Sequence, residues 1–275
     1  MESAVTVERA RALFGVLPRP LGFVPTMGAL HEGHLTLVRR ARLRSAAVAA
    51  SIFVNPLQFG PNEDLTRYPR DAQHDREKLD AAGVDLLFAP NPDAMYPPDF
   101  TSLVDVGPLG TVLEGAVRPG HFRGVTTVMA KLLNVVRPDL LFLGQKDAQQ
   151  AVVLRKMIRD LDFPVEVEIV PTVRESDGLA MSSRNRYLDP EQRAQAPSLH
   201  AALLAMRAAL ERDSDKSAAI AAGTSALGGG GKLDYLELVD GETFAPLERL
   251  QPPAFILGAA RFGTTRLIDN LWVTS

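Results

Sequence analysis

Short, almost uninterrupted apolar runs alternate with helical patterns along the first two-thirds of the chain, and this alternation limits the fold more than any other feature. Leu21 to Val24, Ala46 to Val54, Val84 to Ala89, Asp139 to Leu143 and Val165 to Val170 read as strands. Leu35 to Arg44, Asp71 to Ala82, Val125 to Val136 and Ala148 to Leu161 read as helices between them. Runs such as SIFV and DLLFL, apolar at almost every position, suit a sheet covered on both faces. Right-handed helical crossovers then imply an α/β chain with a Rossmann-like, doubly wound parallel sheet, whose ligands bind outside the carboxyl ends of the strands. Pro90 to about Arg123 breaks the rhythm with MYPPDF, GPLG and VRPGHFRG, and is expected as a long surface excursion. After Ser176 come a polar loop, Ala-rich helices from Pro190 to Leu227, a GGGG break and three strand-like runs. These predict a smaller C-terminal α+β domain, so the expected division is 1–176 and 177–275.

Thirty Lys plus Arg against thirty-three Asp plus Glu leave a net charge of -3, which argues against a broad nucleic-acid-binding surface. With no cysteine, disulfides, zinc ribbons, iron–sulfur clusters and thiol nucleophiles are all excluded. MESAVTVERARALF mixes acids with bases and lacks a signal-like apolar run, and nowhere do about 18 uncharged apolar residues follow one another. A cytoplasmic protein with neither nucleic acid nor membrane as partner is expected. Only six of the thirty basic residues are Lys, so each Lys, and Lys146 above all, invites a specific reason.

Neither G-x-G-x-x-G nor G-x-x-x-x-G-K-[ST] occurs, and GGGGK at Gly228 to Lys232 lacks the first glycine and the closing hydroxyl. Three other segments lie just after strands, and a fourth lies in the loop that joins the two expected domains. HEGH opens the first predicted helix, where His31 and His34 share a face and free N–H groups suit a phosphate chain, with Gly28 and Gly33 permitting close approach. It is not the H-E-x-x-H zinc motif, and the bland alternative is two solvated histidines at a helix start. LFLGQKDAQQ places Lys146 to meet phosphate; Asp147 either orients a ribose or caps the following helix, and Gln150 lies one turn on. MSSRN, Met181 to Asn185, offers two hydroxyls and Arg184 to a polyphosphate, or is an ordinary solvated loop. SIFVNPLQFG sets Asn55 and Gln58 after the second strand, with turn chemistry as the plainer reading. Glu114, Arg118, His121 and Arg123, taken alone, read as surface charge.

Seven words, PTMGALHEGHLTL, SIFVNPLQFG, DLTRYPR, LEGAVRPGHFRGV, GQKDAQQ, VPTVRESDGLAMSSRNRYL and GTTRLIDN, occur in the order in which the pantoate–β-alanine ligases (pantothenate synthetases) carry them. Over nearly its whole length the chain resembles that family. Its His-x-Gly-His is similar to the signature of the adenylate-forming nucleotidyltransferases, and MSSRN to the Lys-Met-Ser-Lys-Ser loop of class I aminoacyl-tRNA synthetases. The resemblance implies condensation of (R)-pantoate with β-alanine through a pantoyl adenylate, driven by ATP with Mg2+, in a homodimer. It implies an ATP site built from Pro25, Thr26, Met27, Gly28, Ala29, Leu30, His31, Glu32, Gly33 and His34. Gly144, Gln145, Lys146, Asp147, Val173, Met181, Ser182, Ser183 and Arg184 would complete it. His34 matches the family's catalytic histidine, with His31, Lys146 and Arg184 also in catalytic roles. Gln58 and Gln150 would bind pantoate, Asn55 and Arg118 would serve the β-alanine side, and Asp75 would be a metal ligand. The chain departs from the family pattern at Gln145, often Glu, at Gln73 and His74 beside Asp75, and at Pro98 and Asp99 in MYPPDF.

Two other chemistries compete. A nucleotidyltransferase would leave the nucleotide on its product, so accumulation of AMP or of a nucleotidyl product separates the two. A tRNA-binding fragment or nucleotide-binding regulatory module is opposed by the net charge and would be revived by salt-sensitive RNA binding.

Overall fold

The computed structural model describes residues 1–61, 63–212 and 215–274. In chain order the first part runs β1 (Glu2–Ala4), α1 (Val7–Phe14), β2 (Leu21–Thr26), α2 (Glu32–Arg44), β3 (Ala47–Ile52), α3 (Ala72–Ala81) and β4 (Leu86–Phe88). It continues with α4 (Pro92–Met95), α5 (Glu114–Val117), α6 (His121–Val136), β5 (Leu140–Gly144), α7 (Ala148–Asp160) and β6 (Glu166–Val170). Among the described residues these strands form one all-parallel sheet in the order β1-β4-β3-β2-β5-β6. Strand order reverses between β2 and β5, which makes their carboxyl ends the topological switch point of a doubly wound sheet.

Alternation along β5 explains why the sheet is covered twice. Leu141 and Leu143 enter one core with Ala10 and Phe14 of α1, Val125 to Val136 of α6 and Leu154 and Met157 of α7. Leu140 and Phe142 enter the opposite core with Leu37, Val38 and Ala41 of α2 and Leu79 of α3. Side chains such as Phe142, with no exposed surface, each contribute roughly 2–3 kcal/mol by burial. Helix starts follow the chemistry of their caps, as where Asp71 accepts the N–H of His74 at α3.

The remaining elements are α8 (Pro190–Gln195), α9 (Ser198–Glu211), α10 (Lys216–Leu227), β7 (Lys232–Asp240), β8 (Ala254–Phe262) and β9 (Thr265–Val273). The three strands pair antiparallel in sequence order, and α9 and α10 pack Leu203, Met206, Leu210 and Ala219 onto Leu236, Leu238 and Ile256. No helix among the described residues is long and apolar enough to cross a membrane.

The structure differs from expectation in four places. A sixth strand, β1, extends the edge; at three residues it is too short to leave a period in the sequence. Helix α6 begins at His121 rather than Val125, because Gly120 takes a left-handed φ of 83° and turns the chain directly into it. The stretch before α6 is less superficial than its Pro and Gly content suggests: it folds into α4 and α5, and Glu114, His121 and Phe122 are buried. Finally, the chain divides into Met1–Gly144 with Gln149–Val170, and Gln145–Ala148 with Pro171 onward, so the second unit begins before 177 and includes the Lys146 segment.

Candidate active site

In the first unit, β2 delivers Thr26, Met27 and Gly28 to the switch point. Thr26 Oγ1 donates to the Ser51 carbonyl at 2.7 Å and accepts the Gly28 N–H at 3.2 Å, locking the exit from Pro25. Gly28 and Ala29 then take positive φ of 85° and 51°, folding the backbone back on itself. Asp75, 2% exposed, accepts the N–H of Ala29 at 2.7 Å and of Leu30 at 2.8 Å, and Lys78 donates to the Leu30 carbonyl at 2.7 Å. Both carboxylate oxygens of Asp75 therefore hold backbone, which is a different task from the metal ligation expected of it. Among the described residues no group of three or more His, Cys, Asp or Glu is arranged to hold a metal ion.

The following helix start is capped by imidazoles. His31 Nδ1 accepts the Gly33 N–H at 3.2 Å, and His34 Nδ1 accepts the His31 N–H at 3.3 Å. This is a capping box with histidine in both positions. A neutral ring whose Nδ1 accepts carries its proton on Nε2, so both rings, 4.1 Å apart, are fixed as Nε2–H donors. The amides of Gly28, Ala29, Leu30, His31, Gly33 and His34 are all committed within the protein, the last to the His31 carbonyl. This corrects the expected cradle of free N–H groups at these six positions. Glu32 pairs with Arg39 along the helix.

Asn55 and Gln58 bracket a single 3-10 turn, Pro56–Gln58. Asn55, 1% exposed, donates to Gln58 Oε1 and to the Gly124 carbonyl, each at 3.0 Å, while its Oδ1 accepts the Tyr96 hydroxyl at 2.8 Å. Burial raises the Tyr96 pKa, which keeps that hydroxyl a donor. Gln58 is thus oriented, with Nε2 2.9 Å from Met27 Sδ. Arg118, expected to meet substrate, instead makes a two-pronged pair with Glu63 at 2.7 and 2.6 Å and donates to the Gln58 carbonyl at 3.2 Å. His121 Nδ1 lies 2.8 Å from the same carbonyl and its Nε2 2.9 Å from Arg118 Nη1. Burial first, then the Arg118 charge, lowers the His121 pKa to about 4, so the ring is neutral with Nδ1–H donating. Arg118 and His121 are thereby supports for the turn that presents Gln58. Gln150, on α7, is half-buried, and its side chain bonds to no other described residue.

In the second unit Gln145–Asp147 form one 3-10 turn, with Lys146 Nζ 3.3 Å from Asp147 Oδ1. A partly exposed pair of this kind is worth less than about 1 kcal/mol, so it holds the Lys146 ammonium only weakly. Gly144 closes β5 immediately before the turn. Val173 and Met181 are brought together by the Met181 N–H on the Val173 carbonyl at 3.0 Å, beside a bridge between Arg174 and Ala180. Ser182 Oγ caps the short 3-10 segment Ser183–Tyr187 by accepting the Arg184 N–H, presenting Ser183 and Arg184 at its start.

Three supporting residues carry no catalytic pattern of their own in the sequence: Asn270, Asp269 and Arg174. Asn270 bonds to Gln145 and Lys146, and Asp269 pairs with Arg174 through both oxygens at 2.6 and 2.9 Å. Burial opposes the Asp269 charge, but His200 and Arg174, with the Asn270 N–H, hold its pKa below the usual carboxylate value. The available signal is two consecutive polar residues inside the apolar strand LIDNLWV, both buried.

A doubly wound parallel sheet with two imidazoles at its switch point places the first unit in the class of α/β proteins that bind ligands at the carboxyl ends of their strands. The pantoate-beta-alanine ligase family model matches residues 4–272, and the chain belongs to that family. It is 58% identical over 254 residues to the pantothenate synthetase of Acidiphilium cryptum, covering 92% of this chain and 91% of the relative. The crystal structure of pantothenate synthetase from Thermus thermophilus matches with a TM-score of 0.95 at 54% identity, covering 100% of both chains. A pantoate-beta-alanine ligase from Francisella tularensis, complexed with beta-gamma ATP and beta-alanine, matches with a TM-score of 0.80 at 33% identity over 99% and 97% of the two chains.

Proposed function

We propose that this chain condenses (R)-pantoate with β-alanine at the expense of ATP, in two steps. A pantoate carboxylate oxygen attacks the α-phosphorus; the new O–P bond forms as the bond to the bridging oxygen breaks, and pyrophosphate leaves. The β-alanine amine then attacks the activated carbonyl, the C–N bond forms, the nitrogen loses its proton and AMP leaves. The observation that carries the reading is the pair of Nε2–H donors of His31 and His34 at the switch point, in a member of this ligase family. A carboxylate nucleophile has no proton to lose, so His34 acts as a donor to the phosphoryl oxygens as charge grows there, rather than as a base.

Lys146, Ser182, Ser183 and Arg184 take the phosphates and the departing pyrophosphate, with the backbone from Pro25 to Gly33, Gly144 to Asp147, Val173 and Met181 forming the remainder of the nucleotide site. Gln58 and Gln150 bind pantoate. Asn55 and Arg118 are assigned a supporting role on the β-alanine side, acting through Gln58, and Asp75 is assigned to the loop rather than to metal. Mg2+ would accompany ATP, bound largely through phosphate oxygens with few protein ligands, and would supply positive charge to the phosphates. The enzyme works in the cytoplasm as a homodimer paired through its first unit, Met1–Gly144 with Gln149–Val170. A monomeric mass at micromolar concentration contradicts the dimer.

The test follows pyrophosphate, AMP and pantothenate together with ATP, Mg2+ and pantoate. Without β-alanine, about one equivalent of pyrophosphate per site is expected; with it, continuous turnover and AMP. Folded protein that releases no pantoate-dependent pyrophosphate contradicts the acceptor.

Support of Gln58 has a further consequence. A Cβ on Gly124 would lie 2.2 Å from the Leu57 carbonyl oxygen and 2.6 Å from the Gln58 nitrogen, so Gly124→Ala must push the Asn55–Gln58 turn off α6. A loss of about 2 kcal/mol in urea unfolding and a raised KM for pantoate are expected. An unchanged midpoint and KM would show that the turn is not held there.

A further inference from the structure

The strand β9 places two buried polar residues side by side, and each reaches a different segment of the proposed phosphate site. Asn270, 2% exposed, donates from Nδ2 to the Gln145 and Lys146 carbonyls, both at 2.9 Å, and accepts from Gln145 Nε2 at 3.1 Å. Two donors and one acceptor on a short side chain are what a carboxamide supplies and a carboxylate or hydroxyl does not. The two carbonyls belong to the single turn that carries Lys146. Asp269 takes Arg174 through both oxygens, and Arg174 also donates to the Gly178 and Asn270 carbonyls at 3.0 and 3.2 Å. Arg174 sits in the bridge to Ala180, one residue before Met181 and the Ser182–Arg184 turn.

We propose that Asn270 is a positioning residue for Lys146 in adenylate formation, with the Asp269–Arg174 pair beside it anchoring the same strand. Without Asn270 the Lys146 turn keeps its side chain but loses the two bonds that fix its backbone, and an error of about 1 Å in a transition-state contact costs up to about 100-fold. The inference rests on the role given above to Lys146.

The experiment is a double-mutant cycle on the first half-reaction, pyrophosphate release measured with ATP and pantoate in the absence of β-alanine. Asn270→Ala is expected to lower the rate by about 10- to 100-fold, with KM for pantoate unchanged and the rise confined to ATP. Introduced into Lys146→Ala, the same substitution is expected to have less than about a threefold effect, because the group it positions is gone. If the two losses multiply, Asn270 acts on the fold generally and the inference fails; if KM for pantoate rises equally, it fails too. If Lys146→Ala alone has the parent rate, the phosphate role of Lys146 is what has failed. Should Asn270→Ala not fold, Gln145→Leu removes only the bond to Asn270 Oδ1, and a loss of a few-fold, again absent in Lys146→Ala, is expected. Multiplicative losses there overturn the inference equally.

Discussion

His34→Ala and Lys146→Ala are each expected to slow pantoate-dependent pyrophosphate release by on the order of 100-fold or more, the usual result of removing a preorganised donor from a developing oxyanion. The two substitutions are predicted to differ in stability. His34 also completes the box at the start of α2 by accepting the His31 N–H, so its loss removes about 1 kcal/mol of helix capping. Gln at this position preserves such a box, so His34→Gln separates capping from catalysis. It is expected to melt with the parent and to recover only part of the rate. Lys146 makes only a partly exposed contact with Asp147, and its removal is expected to leave the melting temperature unchanged. Rapid-quench measurement of pyrophosphate alongside thermal unfolding checks all three variants, and a near-parent rate in either alanine variant refutes the role of that residue.

The second large effect is on acid stability. His121 is held neutral, its pKa lowered from 6.5 to about 4 by burial and by Arg118, with Glu63 and Glu114 the acidic groups nearby. Between pH 6.5 and about 4 the unfolded chain binds a proton at this ring and the folded chain does not. Stability from this residue is therefore complete above pH 6.5 and falls as pH drops, by about 2–3 kcal/mol at pH 4.5. His121→Asn retains an N–H donor for the Gln58 carbonyl but does not titrate. Urea unfolding at pH 7 and pH 4.5 is expected to show a shallower loss in His121→Asn than in the parent, by about that amount. Equal losses would mean that the ring is not held neutral by its surroundings.

What the sequence made legible was whatever repeats or lies close along the chain. Five strands and their helices follow from runs of one residue character, and His31 and His34, three apart at a strand's end, announce a shared face. Gln145 to Asp147 and Met181 to Arg184 are legible for the same reason. Residues whose partners are distant in sequence were not. Asp75 meets Ala29 and Leu30 across more than forty positions, and Asn270 meets Lys146 across more than a hundred. No period or spacing encodes such contacts. Arg118 and His121 looked like surface charge because composition reports polarity and not burial; only the fold of α5 and α6 encloses them. The expected free amides at the start of α2 failed on a related point, since a helix start offers its N–H groups to whatever acceptor arrives, and here the protein supplies its own.

The Asp75 clamp also determines when the disorder of the nucleotide loop is given up. Fixing the backbone of one residue takes about 1–2 kcal/mol of conformational entropy. The segment from Gly28 to His31 is held by Asp75, Lys78 and the imidazole cap, through contacts made entirely within the protein. That entropy is lost when the chain folds, so under the nucleotide role proposed for this loop its ordering is not charged to the binding of ATP.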